Sequence, residues 1–277
     1  MKAPAFDYVR PHSLAEAVGL LSGGGGDARV IAGGQSLLAL MNLRIAEPAL
    51  LIDIARLAEI AMVAEDDAAV TLGAGTTHAM IEDRRVPDPS RGLMPRVAAS
   101  LACRAIRNRG TIGGSLALAD PAAEWPAVLA ALAAEAIVSG PNRRRSIDCA
   151  GFAIGVYDTR LADDEIIESV HIPKLSVDSR WGYVKLARKA GAFAEALAVA
   201  VSDPARGHHR IVLGAANGPP IILAASSRGL AEGRGDRDAA RGSVAADLEQ
   251  AADRRFDDYQ RNLHMVAAMR ALRQVTR

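Results

Sequence analysis

Two glycine turns constrain this 277-residue chain more than any other feature: "AGGQSLL" at Ala32 to Leu38, and "GTIGGSLALADPAAEWP" at Gly110 to Pro126. Glycine lacks Cβ, so main-chain N–H groups in such a turn can converge on an anion at close range. The diphosphate of a dinucleotide is an anion of that kind. Two turns from separate elements can hold it from both sides, with Ser36, Thr111 and Ser115 adding hydroxyl donors. Neither turn fits the commoner phosphate motifs. The first lacks the lysine of GxxxxGK[ST], and the second is not GxGxxG with an acid about twenty residues on.

Charge supports a locally held ligand. Lys and Arg total 33 against 32 Asp and Glu, so no global field draws the chain to nucleic acid or a membrane surface. Membrane insertion is not expected either. The longest nearly uncharged run, Ala122 to Ala136, contains Glu124, Pro126 and Glu135 and is too short to span a bilayer. The opening "MKAPAFDYVRPHS" lacks the apolar core of a signal peptide. The two cysteines, Cys103 and Cys149, form no CxxC, which suits a reducing cytoplasm; an iron–sulfur cluster needs about four thiolates. The six histidines form no HExxH-like pattern and read as surface residues, with His208 and His209 in a turn, so no metal site is expected.

The pattern along the chain alternates helix and strand. "SLAEAVGLL" reads as a first helix with Ser13 and Glu16 as a capping box. "ARVI" and "LLIDI" are short strands on either side of the first glycine turn. "IAMVAEDDAAVTLGAG" and "EAIVSGPNRRRSID" read as hairpins, turning at Glu65–Asp67 and Gly140–Asn142, with helices at 77–84 and 92–103 between them. "DEIIESVHIP" is a strand stopped by Pro173. A boundary is expected near 174–178. Beyond it, "WGYVKLARK", "AEALAVAVS" and "HHRIVLGAAN" suggest three strands, the alanine-rich middle one being equally compatible with a helix. A helical tail is expected from about Ile221, and "RGD" at Arg234–Asp236 reads as a solvated loop.

Taken together, these segments resemble the FAD-binding medium subunit of molybdenum hydroxylases of the carbon monoxide dehydrogenase and xanthine dehydrogenase type. The family's first loop is AGGxS followed by two apolar residues. Its second is TIGGN with a DPAxD-like continuation, matched here by "TIGGSLALADPAAEWP". "FDYVRPHSLAEAV", "LGAGTTHAMI", "YVKLARKAGAF" and "YQRNLHMVAAMRAL" extend the likeness over nearly the whole chain.

The resemblance implies an α+β fold. A two-part PCMH-type FAD-binding domain would occupy 1–175, with subdomains of about 1–55 and 56–175. A C-terminal domain of a three-stranded antiparallel sheet and a three-helix bundle would occupy 176–277. It also implies that Ala32, Gly33, Gly34, Gln35 and Ser36, flanked by Leu37, and Thr111, Ile112, Gly113, Gly114 and Ser115 are the diphosphate loops. Glu124 falls where the family has a flavin-contacting Asp and would accept from a ribose or ribityl hydroxyl. Ile167 offers backbone near the adenine end, Lys185 supplies a cation near the flavin ring, and Phe193 can stack on an aromatic ring. Asp120 reads as a loop-shaping residue.

Three departures bear on tuning: Ser115 for the usual Asn with Gln35 for the common His, Glu124 for Asp, and "KAGAF" where relatives carry an acid followed by Tyr. The implied function is that of an electron-transfer subunit. A large partner holds the molybdenum cofactor, a small partner holds [2Fe–2S] clusters, and FAD on this chain passes electrons to an external acceptor. The assembly would be a heterotrimer or its dimer. No side chain is needed as a catalytic acid or base. The alternatives are a stand-alone flavin oxidoreductase of related fold, and a scaffold subunit that has lost FAD.

Overall fold

A computed structural model describes residues 2–233, 236–251 and 256–276. The first layer contains β1 (Asp7–Val9), α1 (Leu14–Gly23), β2 (Ala28–Ile31), α2 (Leu37–Asn42) and β3 (Leu50–Asp53). Its strands form a parallel sheet in the order β1-β3-β2. Helix α1 starts where the sequence predicts, with Ser13 Oγ accepting from Glu16 N. The expected capping box is only half made, because the Glu16 carboxylate accepts from His12 N at 2.7 Å instead of from Ser13. The parallel β2-α2-β3 crossover leaves the first glycine turn at the end of β2, leading into α2.

The next stretch holds α3 (Ala58–Ala61), β4 (Val63–Glu65), β5 (Ala69–Gly73), α4 (His78–Glu82), α5 (Leu93–Ser100), α6 (Arg104–Arg107), α7 (Ile112–Leu118) and α8 (Glu124–Ala131). After it come β6 (Glu135–Gly140), β7 (Arg143–Asp148), β8 (Ala153–Gly155), β9 (Asp158–Thr159) and β10 (Ile166–Pro173). Both expected hairpins form, and a five-stranded antiparallel sheet runs β4-β5-β10-β6-β7. All eight residues of α8 are buried, so this helix is core on every side. On the sheet's outer strand, Arg143 and Arg145 both bind the carboxylate of Glu165, a side chain with no exposed surface.

The C-terminal part contains β11 (Arg180–Leu186), β12 (Ala196–Asp203), β13 (His208–Gly214), β14 (Ile221–Ile222), α9 (Ala224–Ala231), α10 (Arg237–Gln250) and α11 (Asp258–Val275). The sheet has four strands, not three, in the order β11-β12-β13-β14. The residues at Ile221–Ile222 therefore close the sheet before the helical tail begins. His208 and His209 lie in strand β13 rather than in a turn.

The alanine-rich segment is strand β12, for a packing reason. Its odd positions, Leu197, Val199 and Val201, enter the large core shared with the N-terminal sheets. The even ones, Ala196, Ala198 and Ala200, face Ala267, Ala268 and Ala271 of α11 in a second core. Small residues there let helix and sheet approach closely. At Gly182 of β11 a Cβ would stand 2.1 Å from Ala271 O. Of the RGD tripeptide, Arg234 and Gly235 lie outside the described residues; Asp236 caps α10 by accepting from the amides of Asp238 and Ala239.

Candidate cofactor site

The two glycine turns meet. A Cβ on Gly33 would stand 2.0 Å from Arg109 O and 3.0 Å from Gly110 Cα, so only glycine allows this main-chain contact. The second turn is braced from behind by residues 74–78. His78 N donates to Gly110 O (2.9 Å), Ile112 N to Thr76 O (3.0 Å) and Gly113 N to Ala74 O (3.0 Å). Gly113 is itself a close-approach glycine, since a Cβ there would lie 2.5 Å from Ala74 Cβ. Ala74 N in turn donates to Glu168 O at 2.9 Å, beside Ile167 in β10, where the β10–β6 register shifts.

The turns divide the work differently from the expectation that both offer bare amides. In the second, Gly114 N donates to the capping Thr111 Oγ1 (3.0 Å) and Ser115 N to Thr111 O (3.0 Å), so the amides of Ile112 to Ser115 are already engaged. In the first, no acceptor among the described residues engages the amides of Gly33, Gly34, Gln35 or Ser36. Gly34 takes a left-handed φ of 72°, and the Gln35 side chain folds back to donate to Gly33 O.

The donor turn is therefore Gly33 to Ser36, half-buried to exposed, between half-buried Ala32 and Leu37. The other turn is a rigid wall. Its Ile112 is fully buried as an anchor, its Gly114 is exposed, and Ser115 is half-buried. A Cβ on Gly114 would meet only Thr111 Oγ1, at 2.9 Å, leaving the outward side of that residue open. Unengaged amides beside a second glycine turn suit an anion such as a diphosphate group.

Glu124 and Lys185 bind each other. Lys185 Nζ lies 2.6 Å from Glu124 Oε1, with side-chain exposures of 9% and 5%, and also donates to Ser100 O at 3.1 Å. Burial pushes the Glu124 carboxyl above its ordinary value, while Lys185 pulls the other way. Lys185 is thus neither a surface lysine nor a lone cation, and Glu124 already has a partner. Tyr183, two residues before Lys185 on β11, shares a hydroxyl contact of 2.9 Å with Ser100 Oγ. Ser100, Ala102, Tyr183, Lys185 and Gly191 line one cleft.

Asp120 shapes its loop as expected, accepting from Ala122 N at 2.8 Å. Ile167 is buried, which leaves its main chain rather than its side chain as a contact surface. Phe193 is 67% exposed, two residues after Gly191, whose left-handed backbone packs on Ala102 O and pairs with Leu101.

Sequence reasoning missed three residues. His78 is buried, not superficial. Its Nδ1 accepts from Trp125 Nε1 at 3.1 Å, which leaves the ring neutral with the proton on Nε2, and the ring packs on Gly110. Burial, reinforced by nearby Arg107, lowers its pKa to about 4. Trp125 thereby ties the start of α8 to the second turn, and its place beside Glu124 was the available signal. Arg109 is the third, in the "RNRG" that leads into the turn. His264 is also buried, against the Phe256 ring at 4.7 Å, which likewise corrects the surface reading.

An α+β fold in which two glycine turns abut, one of them with unengaged amides, fits a dinucleotide-binding flavoprotein of the PCMH type. Residues 4–175 match the family described as the FAD binding domain in molybdopterin dehydrogenase. The carbon monoxide dehydrogenase medium chain of Hydrogenophaga pseudoflava is 38% identical over 71% of this chain and 68% of its own length. The nicotine 6-hydroxylase medium subunit of Paenarthrobacter nicotinovorans is 38% identical over 79% and 77%.

Among solved structures, carbon monoxide dehydrogenase from H. pseudoflava superposes with a TM-score of 0.88 at 32% identity, covering 99% of this chain and 98% of that one. Quinoline 2-oxidoreductase from Pseudomonas putida 86 gives 0.86 at 31% identity, covering 100% and 98%. The chain belongs to the FAD-binding family of molybdopterin dehydrogenases, and it is an oxidoreductase component whose cofactor is FAD. No described helix is long and apolar enough to cross a membrane.

Proposed function

We propose that this chain is the FAD-binding subunit of a heteromeric molybdenum-containing hydroxylase or dehydrogenase. It takes electrons from the [2Fe–2S] clusters of a small partner and passes them to an external acceptor, while a large molybdenum-cofactor subunit acts on the substrate. The observation that carries this reading is the contact of Gly33 with Arg109 and Gly110, which brings the turn with unengaged amides against the start of the second glycine turn. FAD bound there supplies the exchange between one- and two-electron steps; the polypeptide supplies position and electrostatics.

In this reading residues 1–175 bind the cofactor, and 176–277 complete the site from β11. Gly33 to Ser36 donate to the diphosphate, and Thr111 to Ser115 hold the opposing wall. Ile167 lies on the strand whose neighbouring carbonyl, Glu168 O, fixes Ala74 and through it Gly113. The Glu124–Lys185 pair joins α8 to β11 and sets where β11 stands relative to α5. Phe193 offers an exposed ring for stacking. Both cysteines are free thiols, in keeping with a cytoplasmic setting.

The test is to purify the full chain and identify what accompanies it. FAD at one per chain, with a large molybdenum-cofactor subunit and a small iron–sulfur subunit co-purifying, is the expected result. A colourless chain that takes up no FAD overturns the cofactor reading; a yellow chain with no such partners overturns the subunit reading.

A further inference from the structure

We propose that Arg109 is the cation for the cofactor's diphosphate, at the seam between the two glycine turns; the proposal rests on the FAD reading above. The segment "CRAIRNRG" carries three arginines, and the structure disposes of them unequally. Arg104 is bound to Asp83 at 2.5 Å and Glu82 at 2.9 Å. Arg107 is bound to Glu82 at 2.8 Å, and its Nη1 donates to Leu101 O at 2.7 Å. Arg109 makes no ion pair among the described residues. Its Nε points instead to Gly33 O, at 3.4 Å, in the turn whose amides are free. Its own carbonyl is the group on which Gly33 rests.

Main chain and side chain of one residue therefore both address the donor turn. The side chain is exposed, so its remaining N–H groups are available to an anion. A diphosphate carries about two negative charges, and amide dipoles supply only partial positive charge against them. A guanidinium donates to phosphate oxygens in a planar fork and is always charged. Acids close off the two preceding arginines and leave the third open beside the cradle. This placement gives the site a full positive charge that the near-neutral composition conceals.

The experiment strips flavin from the full chain and titrates it with FAD at low and high salt, for wild type, Arg109→Gln and Arg109→Lys. Riboflavin, which has no phosphate, serves as the control ligand. Arg109→Gln is expected to raise the FAD dissociation constant about tenfold at low salt. That gap should shrink at high salt, and riboflavin affinity should not change. Arg109→Lys is expected to keep the wild-type salt dependence, because it keeps the charge.

An equal loss at both salts, or a matching loss for riboflavin, assigns Arg109 to holding the turns and overturns the proposal; so does no loss at all. If Arg109→Gln does not fold, Arg109→Lys decides, and a flattened salt dependence in that variant overturns it. Failure of the wild-type chain to bind FAD overturns the proposed function instead.

Discussion

Lys185 Nζ and Glu124 Oε1 stand 2.6 Å apart between β11 and the start of α8, and both side chains are more than nine-tenths buried. Removing one member of such a pair leaves an uncompensated charge in the interior. Lys185→Met or Glu124→Gln alone should lower the unfolding free energy by about 3 kcal/mol. The double variant Lys185→Met/Glu124→Met should recover most of that, because apolar groups of similar volume can replace a buried pair. Urea denaturation with and without FAD measures both. If stability returns in the double variant but FAD affinity does not, one of the two also contacts the cofactor.

The glycines of the second turn should separate folding from binding. A Cβ on Gly113 would collide with Ala74 Cβ at 2.5 Å and Ala74 O at 2.8 Å, within the main-chain brace, so Gly113→Val should fail to fold stably. A Cβ on Gly114 meets only Thr111 Oγ1 and otherwise points outward. Gly114→Val should therefore weaken the cap by about 1 kcal/mol and keep the fold, yet lose flavin through steric blockage of the wall. Thermal melts and flavin stoichiometry check both. A Gly114→Val chain that stays fully yellow would remove the wall from the site.

What could be read from the sequence followed from local rules. Each turn, hairpin and helix start rests on residues within a few positions of one another, as with Ser13 and Glu16 or the Gly140–Asn142 turn. The two glycine turns were legible for the same reason. What they do for each other was not, because Gly33 meets Arg109 only through the fold. The sequence also could not show that the Gly113 amide is consumed by Ala74, an acceptor that only the tertiary brace brings to it. The same holds for Lys185, which looked like an isolated strand cation until α8 brought Glu124 to it. Strand β12 was ambiguous because alanine favours helices intrinsically, and the tight packing of α11 overrode that preference.

His78 gives the site an acid limit. Its folded pKa of about 4 lies below the ordinary value of 6.5, so the unfolded chain binds the proton first as pH falls. The stability owed to neutral His78 is complete above pH 6.5 and is lost as pH drops toward 4, amounting to roughly 3 kcal/mol. Protonation puts charge beside Arg107 and sets a new Nδ1–H against Trp125 Nε1–H, which ends that hydrogen bond. Melting temperature and flavin retention should therefore fall together across this window. A His78→Gln variant should show a shallower decline in both. An unchanged slope in the variant would move the acid sensitivity to another group.

Phe193 should behave in the opposite way from the buried residues. With 67% of its surface exposed, it contributes little to the fold, and Phe193→Ala should shift stability of the flavin-free chain by less than about 0.5 kcal/mol. Its backbone is nonetheless fixed close by, where Gly191 packs on Ala102 and pairs with Leu101 at the end of α5. A large apolar ring held outward on an anchored segment is suited to a partner that arrives from outside the chain. If that partner is the flavin ring, Phe193→Ala should raise flavin fluorescence in the bound state and weaken FAD retention, while Phe193→Tyr preserves both. If fluorescence and retention are unchanged in Phe193→Ala while co-purification with the other subunits is lost, the ring faces a protein partner and not the cofactor.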